Sequence, residues 1–315
     1  MSDVVCLGIL VADVWGKPVN EWPERGRLSL VDEMGMGVGG CAANSGISLT
    51  KLGVATSVMG KVGDDGFGRF VTGQLQAEGV DVSRVRVDET TGTSATMVMI
   101  DDAGERSFIH AIGANATVRP DELDMDLITS AKVFDFAGAL VMPGFDGEPA
   151  ASVLEAAQQA GVTTCMDTVW DATGRWMELI APCLPHCDIF LPSYAEAVEI
   201  TGETEPEKAA GVLLDAGVKT AGLKLGAEGC YLRTADEELC LPAYEVEVVD
   251  GTGSGDAFVA GFIRGLLAGW DLERVGRFAN AVGALCVTGV GTTAGVRGFE
   301  QTIEFLVEKG DSHLR

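Results

Sequence analysis

The sequence predicts an α/β protein built on a mostly parallel sheet, and three observations carry that prediction. Short apolar runs rich in Val and Ile alternate with longer stretches of helical period. No internal repeat, low-complexity tract or long linker interrupts the 315 residues, a length that suits one large domain with a sizeable core. Two segments, 13–35 and 85–112, break the rhythm alike: both are rich in Val, Thr and Met, punctuated by turns and free of helical periodicity. The expectation is a single domain over 1–315 with a small β-sheet standing off it.

In chain order, the first buried strand is expected at 4–10, where Val4-Val5-Cys6-Leu7-Gly8-Ile9-Leu10 is apolar throughout. Runs of the same character follow at 54–59, 132–136, 162–166, 188–191 and 220–225. Helices are expected between them at 41–52, 66–78, 149–160, 194–201 and 206–216, then as a long pair at 256–268 and 271–288. Strands and helices in this alternation make parallel strands joined by crossover helices, a layered α/β core. Within the second irregular segment, 93–100 and 105–110 form a hairpin turning at Asp101-Asp102-Ala103-Gly104. The two irregular segments together read either as an edge extension of the main sheet or as a lid that excludes water from a cleft. Val246 to Asp250 reads as the end of a further strand.

The charge balance excludes some functions. Against 22 Lys and Arg stand 47 Asp and Glu, a net charge of −25, which opposes binding to nucleic acid or to an anionic membrane without a basic patch. The apolar run after Met1-Ser2-Asp3 is too short to span a bilayer, so a cytoplasmic protein is expected. The eight cysteines lie mostly in apolar runs, as core residues rather than disulfides. Cys183-Leu184-Pro185-His186-Cys187 lacks the second ligand pair of a zinc site.

The chemistry concentrates after residue 250. In Gly251-Thr252-Gly253-Ser254-Gly255 the glycines let backbone N–H groups converge, and an apolar helix follows from Asp256. N–H groups at a helix N-terminus bind anions. Asp256, in the first turn, is placed to take the proton from a hydroxyl that attacks phosphorus. An ordinary helix cap explains the same residues, and local sequence leaves both readings open.

Asp250-Gly251-Thr252-Gly253-Ser254-Gly255-Asp256 resembles the second signature of the ribokinase-like sugar kinases, the PfkB family, usually written Asp-Thr-x-Gly-Ala-Gly-Asp. Gly39-Gly40-Cys41-Ala42-Ala43-Asn44 and Gly60-Lys61-Val62-Gly63-Asp64-Asp65-Gly66-Phe67-Gly68 resemble the first. The likeness runs over nearly the whole chain. It implies a three-layer α/β/α core with a β-sheet lid, ATP with Mg²⁺ as cofactor, and a small sugar as acceptor. Asp256 takes the role of base, with Gly253, Ser254 and Gly255 as the anion loop. Gly39, Gly40 and Asn44 are expected to hold the acceptor, with Asp13 at the end of strand one, Asn115 in Gly113-Ala114-Asn115 and Asp167 at the carboxyl edge of 162–166. Val11 stands where many relatives place an Asn.

For the nucleotide, the resemblance implies Ser193 and Glu196 in Pro192-Ser193-Tyr194-Ala195-Glu196, with Ser193 replacing the family's Asn and Glu196 organising Mg²⁺ through water. Lys224 and Gly226 match a turn beside the nucleotide, and Asn280 a helix position against the adenine. Asp250, Thr252, Cys286, Gly289 and Gly291 match a segment that cages K⁺ in several relatives, mostly through backbone oxygens. Exposed lid sheets often pair with another copy, so a homodimer through the lid is expected. The acceptor is expected to be a ketose, aldose or sugar acid, with a nucleoside as alternative. A non-catalytic sugar- or nucleotide-binding regulator is a rival from another class. So is a nicotinamide-dependent oxidoreductase, because Gly35-Met36-Gly37-Val38-Gly39-Gly40 satisfies G-x-G-x-x-G, although the segment before it is polar and turn-rich.

Overall fold

The computed structural model describes residues 2–311. Its elements in chain order are β1 (Val4–Gly8), β2 (Val11–Lys17), β3 (Glu33–Gly39), α1 (Cys41–Lys51), β4 (Thr56–Gly63), α2 (Gly66–Ala77), β5 (Asp81–Asp88), β6 (Ala95–Ile100) and β7 (Arg106–Ala111). Then come α3 (Met125–Ser130), β8 (Val133–Ala139), α4 (Glu148–Gln159), β9 (Thr163–Thr168), α5 (Trp176–Ile180), β10 (Ile189–Phe190), α6 (Tyr194–Thr201) and α7 (Pro206–Asp215). The chain closes with β11 (Thr220–Lys224), β12 (Cys230–Arg233), β13 (Glu238–Leu241), α8 (Ser254–Leu267), α9 (Leu272–Cys286) and α10 (Phe299–Glu308).

Nine strands form the main sheet in the order β13-β12-β11-β10-β9-β8-β1-β4-β5, parallel from β11 through β5. Every residue of β1, β4 and β8 is buried, as strands covered by helices on both faces must be. The helices follow the apolar stripe rule: α9 buries Val275, Phe278, Ala279, Val282 and Leu285 at spacings of three and four. The antiparallel pair β12 and β13 ends the sheet at one edge. Among the described residues no helix is long and apolar enough to cross a membrane.

The second sheet is the lid, in the order β3-β2-β6-β7. It departs from the expected boundaries at each end. It begins at Val11 rather than 13 and runs on to Gly39, whereas Asp81–Asp88 pairs with β4 and belongs to the main sheet. Its hairpin turns at Asp101-Asp102-Ala103-Gly104 as the sequence predicts. The G-x-G-x-x-G match lies on β3, antiparallel to β2 in this lid, so it is not the first turn of a nucleotide-binding βαβ unit. Val246 to Asp250 is not a strand either. It runs without a partner strand, and the N–H groups of Val249 and Asp250 both donate to Val287 O, at 2.8 and 3.1 Å.

The Gly60 to Gly68 stretch has a structural task. Asp65 caps α2 by accepting from Gly68 N at 2.8 Å, and accepts from Thr93 N at 2.8 Å and Thr93 Oγ1 at 2.7 Å. One carboxylate thereby ties the turn after β4 to the segment that enters the lid.

In the middle of β8, Asp135 is fully buried between Cys6 and Cys165 on the neighbouring strands, and no N–H or O–H group bonds either carboxyl oxygen. Burial, then the charge of Asp167, pushes its carboxyl up to about 7. The unfolded value is about 3.9, so the native state holds an extra proton between the two. Stability from this group is full below the unfolded value and is lost as pH rises through the folded one, by up to about 1.4 kcal/mol per pH unit. Asp135→Asn is expected to flatten that part of the pH profile and to be the more stable protein above neutrality. Denaturant unfolding of both proteins on either side of the window checks this.

Candidate active site

The Gly-rich loop sits at the start of α8 as the sequence predicts. Gly253 has φ +80°, and a Cβ there would stand 2.1 Å from Thr292 O, so both conformation and space require glycine. The N–H groups of Gly253, Gly255 and Asp256 meet no protein acceptor among the described residues. That of Ser254 turns to Gly251 O at 3.4 Å, and its Oγ donates to the same oxygen at 2.9 Å. Ser254 therefore shapes the loop rather than adding a fourth free donor. The open N–H groups and the dipole of a 14-residue helix make an anion site.

Asp256 is buried in the first turn of α8. Asn44 Nδ2, from α1, donates to Asp256 Oδ2 at 2.7 Å, which joins the two signature motifs in one contact. Burial pushes the Asp256 carboxyl up, while Asn44, the Lys224 charge and the Cys41 thiol hold it back, and the net shift is upward. Asn44 Oδ1 is buried with no partner among the described residues, an open acceptor beside the carboxylate.

The paired glycines place Asn44. Gly40 caps α1 with φ +93°, and a Cβ there would stand 2.3 Å from Ile9 O. A Cβ on Gly39 would lie 2.1 Å from Asp13 Oδ2, so Gly39 makes room for that carboxylate. These glycines admit the protein's own backbone and Asp13 rather than a ligand. Asp13 itself is not at the end of β1, which stops at Gly8; it lies in the lid strand β2, in register with Thr96 and His110. Burial raises its carboxyl, with Thr96 and His110 opposing.

Asp167 lies at the carboxyl end of β9 as expected, but both its oxygens accept from Lys224 Nζ at 2.7 Å. It holds that lysine instead of facing a ligand. Burial opposes the Lys224 charge, but Asp167 and Glu196 outweigh it and keep the ammonium protonated. Its Nζ lies 3.3 Å from where a Cβ on Gly255 would stand, beside the anion loop. Ser193 and Glu196 form a capping box on α6: Ser193 Oγ accepts from Glu196 N at 3.3 Å, and Glu196 Oε2 from Ser193 N at 2.9 Å. Thr168 Oγ1 also donates to Glu196 Oε2, at 3.1 Å. The Ser193 oxygen thus caps the helix while its O–H stays free to donate, and Glu196 keeps Oε1.

A cavity of about 610 Å³ opens between α8, α9 and the 226–229 turn. Ala243, Val246, Val248, Phe258, Ala284 and Val287 make most of its wall apolar, and Lys224, Ser254 and Gly255 make one end polar. Gly226 and Asn280 line it, and Asn280 Nδ2 donates to Leu241 O and Pro242 O, both at 3.1 Å. Asn115 is engaged with backbone: Oδ1 accepts from Leu10 N at 3.1 Å and Nδ2 donates to Leu10 O at 3.2 Å, so its amide clamps Leu10.

The residues expected to cage K⁺ are bonded to one another and to the lid. Asp250 Oδ1 accepts from Thr252 N at 2.8 Å and pairs with Arg106 Nη1 at 2.7 Å, and Asp250 Oδ2 accepts from Gly291 N at 2.9 Å. The Cys286 thiol donates to Thr292 O at 3.2 Å and reaches Thr252 O at 3.8 Å. A Cβ on Gly289 would stand 2.6 Å from Gly295 N, so the turn is packed on itself there. Both Asp250 oxygens are thus met by N–H and guanidinium groups.

Arg106, Cys41 and Thr168 are residues that sequence reasoning passed over. Only Arg106 left a signal, an arginine at the start of a lid strand in an acidic chain.

Known proteins share this arrangement. The pattern of the pfkB family carbohydrate kinases matches residues 1–297. Aminoimidazole riboside kinase of Salmonella typhimurium is 34% identical over 284 residues, covering 85% of this chain and 87% of that one. 2-Dehydro-3-deoxygluconokinase of Bacillus subtilis is 30% identical over 308 residues, 93% of each. The structure of Arabidopsis thaliana ribokinase complexed with ribose and ATP superposes with a TM-score of 0.87 at 26% identity, covering 97% of this chain and 98% of that one. On its two joined signature motifs, its lidded three-layer fold and these matches, the chain belongs to the pfkB family carbohydrate kinases, phosphotransferases acting on a sugar hydroxyl.

Proposed function

We propose that the chain transfers the terminal phosphoryl group of Mg·ATP to a hydroxyl of a monosaccharide (a ketose, aldose or sugar acid), with Asp256 as general base. The observation that carries this is the Asn44–Asp256 contact at the mouth of the anion loop, where a carboxylate and the unpartnered Asn44 Oδ1 are both set to accept from a hydroxyl.

The residues fit the cofactor. The apolar wall of the cavity suits a purine, and its polar end, with Lys224 and the Gly255 N–H, suits phosphates. Glu196 Oε1 is a hard oxygen suited to a mostly hydrated Mg²⁺. Bound there, Mg·ATP supplies the phosphoryl group. Asp256 takes the hydroxyl proton as the oxygen attacks, and Asn44 orients the carboxylate. The free N–H groups of Gly253 and Gly255 meet the charge on the transferring group. Lys224, fixed by Asp167, holds a positive charge beside them. The lid strands cover the acceptor and exclude water.

A nucleoside is the second reading, favoured by Phe108, which is 60% exposed on the same lid face as Arg106. An ADP-release screen over ketoses, aldoses, sugar acids and nucleosides separates the two. Mg·ATP turnover with at least one of these acceptors is expected. Mg·ATP or sugar bound without turnover would favour the regulator, and preference for NAD⁺ the oxidoreductase. Glu196→Gln is expected to raise the Mg²⁺ concentration needed for half-maximal rate about tenfold, as loss of a charged ligand implies; a Mg²⁺ titration at fixed ATP reads it.

The opposite lid face exposes Met34, Met36, Met97 and Ile109, which supports a homodimer through the lid. Sedimentation of wild type and Met97→Glu checks it: dimer and monomer are expected in turn.

A further inference from the structure

One side chain joins the lid to the phosphate loop. Arg106 is the first residue of β7, and the alternation of that strand puts it on the face that carries His110 and, across the register, Thr96 and Asp13. Its Nη1 lies 2.7 Å from Asp250 Oδ1 and also bonds Thr252 Oγ1. The Arg106 side chain is 24% exposed and that of Asp250 7%, so the pair is largely shielded from water. The Arg106 guanidinium and the N–H groups of Thr252 and Gly291 all converge on the Asp250 carboxylate. This carboxylate opens the segment that delivers the Gly253 and Gly255 N–H groups. Left without a countercharge, it would be a buried negative charge close behind the position where phosphate charge develops. A guanidinium supplies that countercharge in a fixed planar fork and stays charged at every working pH. A second bond, from Thr292 Oγ1 to Val38 O at 2.9 Å, ties the lid's β3 to the loop that also meets Asp250 through Gly291.

We propose that Arg106 is the built-in cation of the phosphate loop: reaching down from the lid, its guanidinium orders residues 250–255 at the place where the family resemblance implies a monovalent cation. Catalysis by this chain then needs no K⁺ and depends on the lid being seated. Arg106 is a positioning residue, acting on the transferring group through Asp250 and Thr252. The inference rests on the kinase reading of the site.

Wild type, Arg106→Ala and Arg106→Lys are compared in KCl and in tetramethylammonium chloride at equal ionic strength, by kcat and by thermal unfolding of the ligand-free protein. Wild type is expected to show the same kcat and the same Tm in both salts. In tetramethylammonium, Arg106→Ala is expected to lose about 10- to 100-fold in kcat, as loss of a charge-assisted bond implies. In KCl it should regain several-fold of that rate and gain a rise in Tm that wild type lacks. Arg106→Lys should fall between the two. Activation of wild type by K⁺ overturns the proposal. So does full activity of Arg106→Ala in tetramethylammonium, or a loss that K⁺ leaves unchanged in both rate and Tm, which is what a merely structural contact gives. The unfolding comparison needs no acceptor. If no acceptor is turned over, the kinase reading fails while the cation assignment is still decided.

Discussion

Asp256→Asn is expected to lower kcat by about 10²–10⁴-fold while leaving the affinity for Mg·ATP within a few-fold of wild type. The substitution keeps the shape of the side chain and its place in the first turn of α8, but an amide cannot take a proton at working pH. The cavity that fits the nucleotide is lined by Ser254 and Gly255 and not by Asp256, so nucleotide binding and proton removal separate. Calorimetry with a non-hydrolysable ATP analogue measures the first and ADP release the second. Near-normal kcat in Asp256→Asn would remove the residue from the chemistry. A parallel loss of nucleotide affinity would show instead that the loop itself had been disturbed.

Lys224→Met is expected to destabilise the fold by about 3–5 kcal/mol, the cost of leaving one partner of a buried ion pair without the other. Asp167 is 2% exposed, gives both oxygens to Lys224, and has the carboxylates of Glu196 and Asp256 nearby. Without the ammonium, burial and those like charges drive its carboxyl up until it takes a proton. The double variant Lys224→Met with Asp167→Leu replaces the pair by apolar groups and is expected to regain most of the stability. Neither variant should regain activity, because the positive charge beside Gly255 is gone in both. Denaturant unfolding of the four proteins of the cycle reads the coupling. A single variant as stable as wild type would show that water or another group already compensates Asp167.

The parts of this molecule that the sequence made legible are those where one physical rule acts alone. Strands buried on both faces are almost wholly apolar, so Val4 to Leu7, and Val133 to Phe136 with Asp135 as its one exception, could be read directly. Helices with a single apolar stripe, such as α9, were equally clear. Edges were not: β5 mixes exposed and half-buried residues with none buried, like a lid strand, and only its pairing with β4 assigns it to the main sheet. Val246 to Asp250 has strand composition, but its N–H groups are taken by the end of α9.

In the site, residues whose type is forced by backbone geometry or by chemistry could be placed from the sequence. Gly253, Gly40 and Asp256 are of this kind. Residues whose role depends on what lies opposite them could not. Asn115 looks like a ligand and clamps Leu10; Asp167 looks like a ligand and holds Lys224; Ser193 looks like a phosphate contact and caps a helix. Arg106 is the converse, a hairpin residue in the sequence that reaches the phosphate loop only once the lid is folded over it.

The measurement that bears most directly on the central claim is the pH dependence of kcat/KM in wild type and Asn44→Ala. If Asp256 must be ionised to take the acceptor proton, kcat/KM rises with pH along a limb set by that carboxyl. Burial raises its pKa and the Asn44 amide, 2.7 Å away, lowers it. Removing the amide is therefore expected to move the limb to higher pH. An ascending limb that stays where it is in Asn44→Ala, or a profile with no such limb, would contradict the assignment of Asp256 as the base.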